Sequence, residues 1–157
     1  MPLAIAAVLA VTVPAAVSHL QGVRDELRPS LAGGYAQALF RLTSNQAHAL
    51  AYLDRAPRPG GVLAPWLLSL SVPVFTGRQA YAGHVNWQPA ANVALTNSFF
   101  DPGLRDPAGA LRRAILTRTG ARFVVADCNA PAALARQIAP IARPVRRFGC
   151  VTVYQTS

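Results

Sequence analysis

The chain has 157 residues, 52% of them hydrophobic and only 13% charged, with a formal net charge of +9. Its mean hydropathy of +0.28 excludes a disordered polyelectrolyte, which is polar and highly charged, and its length allows one domain with a modest core. All fifteen basic residues are arginine, the usage of a GC-rich coding sequence, so the charge alone does not imply a nucleic-acid partner; the arginines are scattered apart from Arg143, Arg146 and Arg147, and no nucleic-acid motif accompanies them.

Met1 to Val17 carries no charged side chain, and Arg24 is the first basic residue. A membrane span needs roughly 20 apolar residues, and this run approaches that length when Ser18 to Val23 forms its interfacial end. Residues 1–23 therefore read as the terminal part of a transmembrane helix. A signal peptide and a buried core helix are the competing readings, although a signal peptide would place basic residues before the apolar run. The chain opens inside the apolar pattern, as expected of an internal start or a cut through a longer membrane protein. Residues 24–42 follow as a connector and 43–157 as the main domain.

Thr43 or Ser44 supplies an N-cap hydroxyl, and Ala47, Leu50 and Ala51 lie at helical spacing, which predicts a helix over 45–55 that Pro57, Pro59 and the Gly60-Gly61 pair end. Val62 to Ala64 predicts a short buried strand and Pro65 to Leu70 a helical turn. Val72 to Phe75 and Gln79 to Ala82 read as extended pieces on either side of Thr76-Gly77-Arg78, followed by a polar and aromatic loop over 83–87 and a helix over 90–99. Asp106 as N-cap, Pro107 in the first turn and Gly120 as C-terminal cap frame the next helix. Leu111, Ile115, Ala108 and Ala114 form its inward stripe, and Arg112, Arg113 and Arg118 face water. Phe123 to Ala126 is a continuous apolar run, the pattern of a strand buried on both faces. A short helix over 131–139 points Leu134 and Ile138 inward. Residues 144–148 and 150–155 alternate around Gly149 as a hairpin. The order predicts an α/β fold, a small layered sheet with flanking helices and a C-terminal β-hairpin.

The chain has two cysteines, Cys128 and Cys150. Cys128 ends the buried strand and Cys150 begins the last one. Side by side, these strands would bring the Cα atoms within the roughly 4.4–6.8 Å of a disulfide. Such a bridge places the domain in an oxidising compartment; the alternative is two buried thiols acting as small apolar side chains.

Arg78, His84, Asn86 and Trp87 form the candidate binding segment. An arginine grips phosphate or carboxylate in a fork, an indole stacks on a sugar face, and an amide bonds hydroxyls. The competing reading is a structural loop in which Trp87 packs and His84 bonds a carbonyl. Asp127 stands at the carboxyl end of the buried strand, where open α/β sheets bind ligands, and it or Asn129 would otherwise cap the next helix. His19, His48 and His84 lack metal-ligand spacing, no G-x-G-x-x-G or G-x-S-x-G motif is present, and carboxylates are too few for a paired acid–base site. No cofactor, metal or catalytic residue is therefore expected.

The stretches YLDRAPRPGGVLAP (52–65), VPVFTGRQAYAGHVNW (72–87), LTRTGARFVVADC (116–128) and RPVRRFGCVTVYQ (143–155) together resemble the C-terminal extracytoplasmic region of large actinobacterial membrane proteins. Those proteins are similar to the GT-C class of glycosyltransferases that use polyprenol-phosphate sugars. The resemblance covers about two-thirds of the chain. It implies a non-catalytic C-terminal domain of such a transferase, because the donor lipid and catalytic acid of this class lie with upstream transmembrane helices. It further implies a cell-membrane protein with this domain outside the cytoplasm. The expected partners are membrane lipid, glycan or polyprenol phosphate, and the upstream membrane part of the same protein. A secreted α/β binding module released from a signal peptide is the alternative.

Overall fold

The computed structural model describes residues 42–83 and 89–157. The expected membrane segment 1–23, the connector up to residue 41, and His84, Asn86 and Trp87 lie outside the described residues. In chain order the elements are α1 (Ser44–Arg55), β1 (Val62–Leu63), α2 (Trp66–Ser69), α3 (Val72–Thr76), α4 (Ala90–Phe100), α5 (Ala110–Thr119), β2 (Phe123–Ala126), α6 (Leu134–Ile138), β3 (Ala142–Phe148) and β4 (Val151–Thr156). No helix among the described residues is long and apolar enough to cross a membrane.

The four strands form one mixed sheet in the order β1-β2-β4-β3. β1 runs parallel to β2, while β2 and β3 each pair antiparallel with β4. The continuous apolar run of β2 is explained by its place inside the sheet, where all four of its residues are buried. Side chains of successive strand residues alternate between faces. Phe123 and Val125 join Leu50, Leu53, Val62, Val72, Val151 and Val153 on the α1 side. Val124 and Ala126 join Leu63, Phe99, Ile115, Leu116, Leu134, Ile138 and Tyr154 on the other. The result is an α/β fold of three layers, with α1 and α3 on one face of the sheet and α4, α5 and α6 on the other.

The local signals that set α1 and the hairpin act as expected. The Thr43 hydroxyl accepts the Gln46 N–H at 3.2 Å and the Gln46 side chain accepts the Thr43 N–H at 2.9 Å, a reciprocal capping box. Gly149 turns the β3–β4 hairpin at φ 58°, and a Cβ at that position would collide with the Asn45 side chain.

Three expectations are corrected. Val72 to Phe75 is not extended but helical, because Pro73 sits in the first turn, where its missing N–H costs nothing. The Thr76 hydroxyl donates back to the Val72 carbonyl at 2.6 Å. Val72 is buried in the core, while Val74 and Phe75 point outward, 79% and 55% exposed. Second, α5 starts at Ala110 and not beside Pro107. Asp106 to Gly109 forms a turn closed by a 3.0 Å bond from the Gly109 N–H to the Asp106 carbonyl. Gly109 takes φ 71°, and a Cβ there would meet Gln137 at 2.6 Å, so glycine is needed for both conformation and space. Third, the inward stripe of α5 is rotated. Leu111 is 46% exposed, whereas Arg112 is only 1% exposed; Ala108 and Ala114 also face solvent, and Ile115 and Leu116 are buried.

Candidate functional site

Residues 79–81 run beside β1 as an additional extended segment. The Val62 N–H donates to the Gln79 carbonyl at 2.8 Å and the Tyr81 N–H to the Val62 carbonyl at 3.0 Å, a parallel bridge centred on Ala80. This pairing gives the candidate segment a direction. Arg78 lies at the amino edge of the parallel strands, and the chain bends at Tyr81 and Ala82 before Gly83 on the carboxyl side.

At the amino edge, the Arg78 guanidinium donates to backbone carbonyls. Nε bonds Leu53 at 2.8 Å, Nη2 bonds Ala56 at 2.7 Å, and Nη1 bonds Arg58 at 2.8 Å and reaches Gly60 at 3.5 Å. These include carbonyls at the end of α1, where the helix carries the negative end of its dipole; the Leu53 carbonyl also accepts the Ala56 N–H at 3.2 Å. The guanidinium also lies 5.0 Å from the centroid of the Phe123 ring, a cation–π contact. It borders an open depression of about 540 Å³ with Pro57, Pro59 and Gln79. Arg78 thus spends its fork on closing α1 onto the sheet.

At the carboxyl edge, β1 runs directly into Ala64, Pro65 and Trp66. The Trp66 indole N–H donates to the Gly83 carbonyl at 3.2 Å, which fixes the point from which residues 84–88 depart. Beside it lies a groove of about 470 Å³ lined by Trp66, Asn97, Ser98, Phe100 and Asp101 with Pro65 and Pro102 at its ends. Its far wall is the last turn of α4. Asp101 is the C-cap of that helix, and its carboxylate accepts the Gly103 N–H at 2.8 Å.

The wall is held from behind by Arg112. Its Nε donates to the Phe99 carbonyl at 2.9 Å, Nη1 to the Gln137 side-chain oxygen at 2.9 Å, and Nη2 to the Asp101 carbonyl. The Gln137 amide donates onward to the Asp106 carbonyl, and the Asp106 carboxylate accepts the Arg112 backbone N–H at 3.0 Å. That backbone bond, chiefly, holds the Asp106 carboxyl below the usual carboxylate range against the opposing effect of burial. Asp127, the other acidic residue at this edge, does not cap α6. Its carboxylate accepts the Asn129 N–H at 3.0 Å and its carbonyl the Ala130 N–H at 3.1 Å, a local turn well ahead of Leu134. Next to it, Cys128 and Cys150 form a disulfide with Cα atoms 4.9 Å apart, as expected from the two adjoining strand ends. Among the described residues no group of three His, Cys, Asp or Glu is placed to hold a metal ion.

The sequence pointed to the 78–87 segment and missed Trp66, Asn97 and Asp101. The polar pair Asn97-Ser98 near the end of α4 was a weak local signal. Nothing local pairs it with Trp66, about thirty residues earlier.

No family model matches this chain, and no curated protein matches it. Among solved structures, it is similar to the C-terminal globular domain of an oligosaccharyltransferase from Archaeoglobus fulgidus, with a TM-score of 0.57 at 10% sequence identity. The match covers 75% of this chain and 100% of that domain. At that identity the likeness is one of fold: the chain carries the fold of an oligosaccharyltransferase C-terminal globular domain.

Proposed function

We propose that this chain is a non-catalytic C-terminal domain of a membrane glycosyltransferase that uses a polyprenol-phosphate sugar donor, held at the extracytoplasmic side of the cell membrane. The observation that carries the reading is the fold match, which spans the whole of an oligosaccharyltransferase C-terminal domain. The Cys128–Cys150 disulfide supports an oxidising compartment. The apolar run from Met1 to Val17 supports attachment. Val74 and Phe75, exposed on α3, and the exposed Arg55 and Arg58 nearby supply the apolar and basic groups that an anionic headgroup layer attracts. Arg78, His84, Asn86 and Trp87 are proposed to serve the contact with glycan or lipid phosphate, Arg78 by anchoring the base of the segment.

Carbonate extraction of membranes from cells producing the full chain tests the attachment. The full chain stays in the pellet, and a chain starting at Arg28 moves to the supernatant. A full chain free in the cytosol removes the reading, and a mature N-terminus beyond Val17 identifies a secreted module in its place. In the complete transferase, His84→Ala and Trp87→Ala lower transfer while the disulfide and the fold remain; unchanged transfer in both leaves these residues a structural role only.

A further inference from the structure

We propose that the groove between the start of α2 and the last turn of α4 binds one neutral sugar ring, with Trp66, Asn97 and Asp101 as its contacts. This rests on the glycan-contact reading above and decides within it between the glycan and the lipid phosphate.

The position is the first argument. The groove opens at the carboxyl end of the parallel β1–β2 pair, the edge at which open α/β sheets receive ligands. Its volume of about 470 Å³ falls inside the roughly 300–1,000 Å³ range of small-molecule sites. The chemistry of the lining is the second. A sugar ring presents C–H groups on one face and hydroxyls around its rim. The Trp66 indole supplies aromatic carbon for the first. For the second, the Asn97 amide both donates and accepts, the Ser98 hydroxyl does the same, and the Asp101 carboxylate accepts.

Charge decides against phosphate. Among the described residues that line the groove, Asp101 alone carries a charge, so this lining is locally anionic on a chain whose net charge is +9. The guanidinium behind the wall, on Arg112, is 1% exposed and turned to the Phe99 and Asp101 carbonyls and Gln137. It offers nothing to an anion in the groove. A phosphate would meet a carboxylate without a compensating cation, whereas a hydroxyl meets an acceptor.

The groove is also preorganised. Trp66 is held by its bond to Gly83. Asp101 is held twice, through its carboxylate by Gly103 and through its carbonyl by Arg112. Little side-chain freedom is left to lose on binding.

The test is NMR titration of the isotope-labelled full chain in a detergent without a sugar headgroup. The probes are the methyl glycosides of mannose, glucose, galactose and arabinose, and mannose 1-phosphate. At least one glycoside gives saturable shifts at the Trp66 indole N–H and the Asn97 amide, with a Kd of roughly 1–10 mM, as a single ring in a shallow site allows. Asn97→Ala, at an exposed position, raises that Kd at least tenfold. Asp101→Asn does the same while retaining an oxygen for the Gly103 N–H. Mannose 1-phosphate binds at least tenfold more weakly than methyl mannoside. The proposal is overturned by the absence of shifts with all four glycosides, by shifts that survive in both variants, or by a sugar phosphate that binds as tightly as the glycoside. Failure here with membrane retention intact removes the groove alone. Loss of retention removes the broader reading.

Discussion

Each face of the sheet carries one arginine whose Nε–Nη2 edge grips the carbonyls at the end of a helix. On the α1 face, Arg78 takes Leu53 and Ala56. On the other, Arg112 takes Phe99 and Asp101. Both helices leave through an extended C-cap, Ala56 at ψ 127° and Asp101 at ψ 117°, so neither end closes its last carbonyls with a left-handed turn. The two clamps differ in how the cation is kept. Arg78 is half-buried, rests on the Phe123 ring and satisfies its remaining donors on a surface loop. Arg112 is enclosed, takes a side chain from α6 as its third partner and has the Asp106 carboxylate beside its own helix start. A solvated clamp closes one helix end. A buried clamp joins α4, α5 and α6, and with them the wall of the groove.

The largest expected effect follows from that enclosure. Arg112→Ala leaves the buried Phe99 carbonyl and Gln137 side-chain oxygen without their donor, leaves the Asp101 carbonyl only the Leu104 N–H at 3.4 Å, and opens a cavity the length of an arginine, a loss of about 3–5 kcal/mol, read as a fall in the urea midpoint. Arg112→Lys recovers little of it, because a point charge cannot serve three acceptors in a fork. An Arg112→Ala loss smaller than that of Arg78→Ala breaks the distinction between the clamps.

The second effect is common to both faces. Removing the disulfide with paired Cys128→Ser and Cys150→Ser releases a closure of 22 residues and costs about 3 kcal/mol on the chain-entropy model. The bridge ties β2 to the hairpin turn, and so to the sheet that both layers share. The difference between the two arginine variants therefore persists in the bridge-free protein. A difference that disappears there shows that one clamp acts through the disulfide.

Arg78→Ala comes third, at about 1–3 kcal/mol. Its carbonyl partners at Arg58 and Gly60 lie in an exposed loop, where water replaces the lost bonds. The loss is confined to α1 and the segment that follows it, which hydrogen exchange resolves as faster exchange at the end of that helix with the amides of α5 unchanged.

These differences mark what was legible in the sequence. Signals carried by a few neighbouring residues were readable: the Thr43 cap, the apolar run of β2, Gly120 after α5, Gly149 in the hairpin, and two cysteines at adjoining strand ends. What required distant partners was not. Arg112 looks like a solvent-facing helix residue until the Phe99 carbonyl, 13 residues before it, and Gln137, 25 residues after it, are brought against it. Nor can the sequence show that α1 ends beneath Arg78, whose guanidinium donates to the Leu53 and Ala56 carbonyls. The groove is assembled from 65–66 and 97–102, two segments that the 79–81 pairing and α4 bring together. α3 was misread for the opposite reason: its local apolar pattern looked extended, but it is a short helix that buries Val72 and Thr76 and exposes Val74 and Phe75.

The smallest effect distinguishes the clamps by acid. The Asp106 carboxyl lies below the ordinary carboxylate range, chiefly because it accepts the Arg112 backbone N–H, with the N–H groups of Leu111 and Ala110 adding to this. A carboxylate whose folded pKa is depressed contributes stability that is fully present above its unfolded pKa and is lost as pH falls through the folded value. The α5 start, and the Arg112 junction built on it, therefore weaken below about pH 4. Arg78 bonds only backbone carbonyls, which do not titrate there. Between pH 6 and pH 3 the urea midpoint should fall further in the wild type than in Asp106→Asn, which keeps an oxygen for the Arg112 N–H but has no carboxylate to protonate. Amides at the start of α5 should lose protection before those of α1. Equal acid sensitivity in the variant and the wild type, or earlier opening of α1, would overturn the assignment of acid response to the buried clamp.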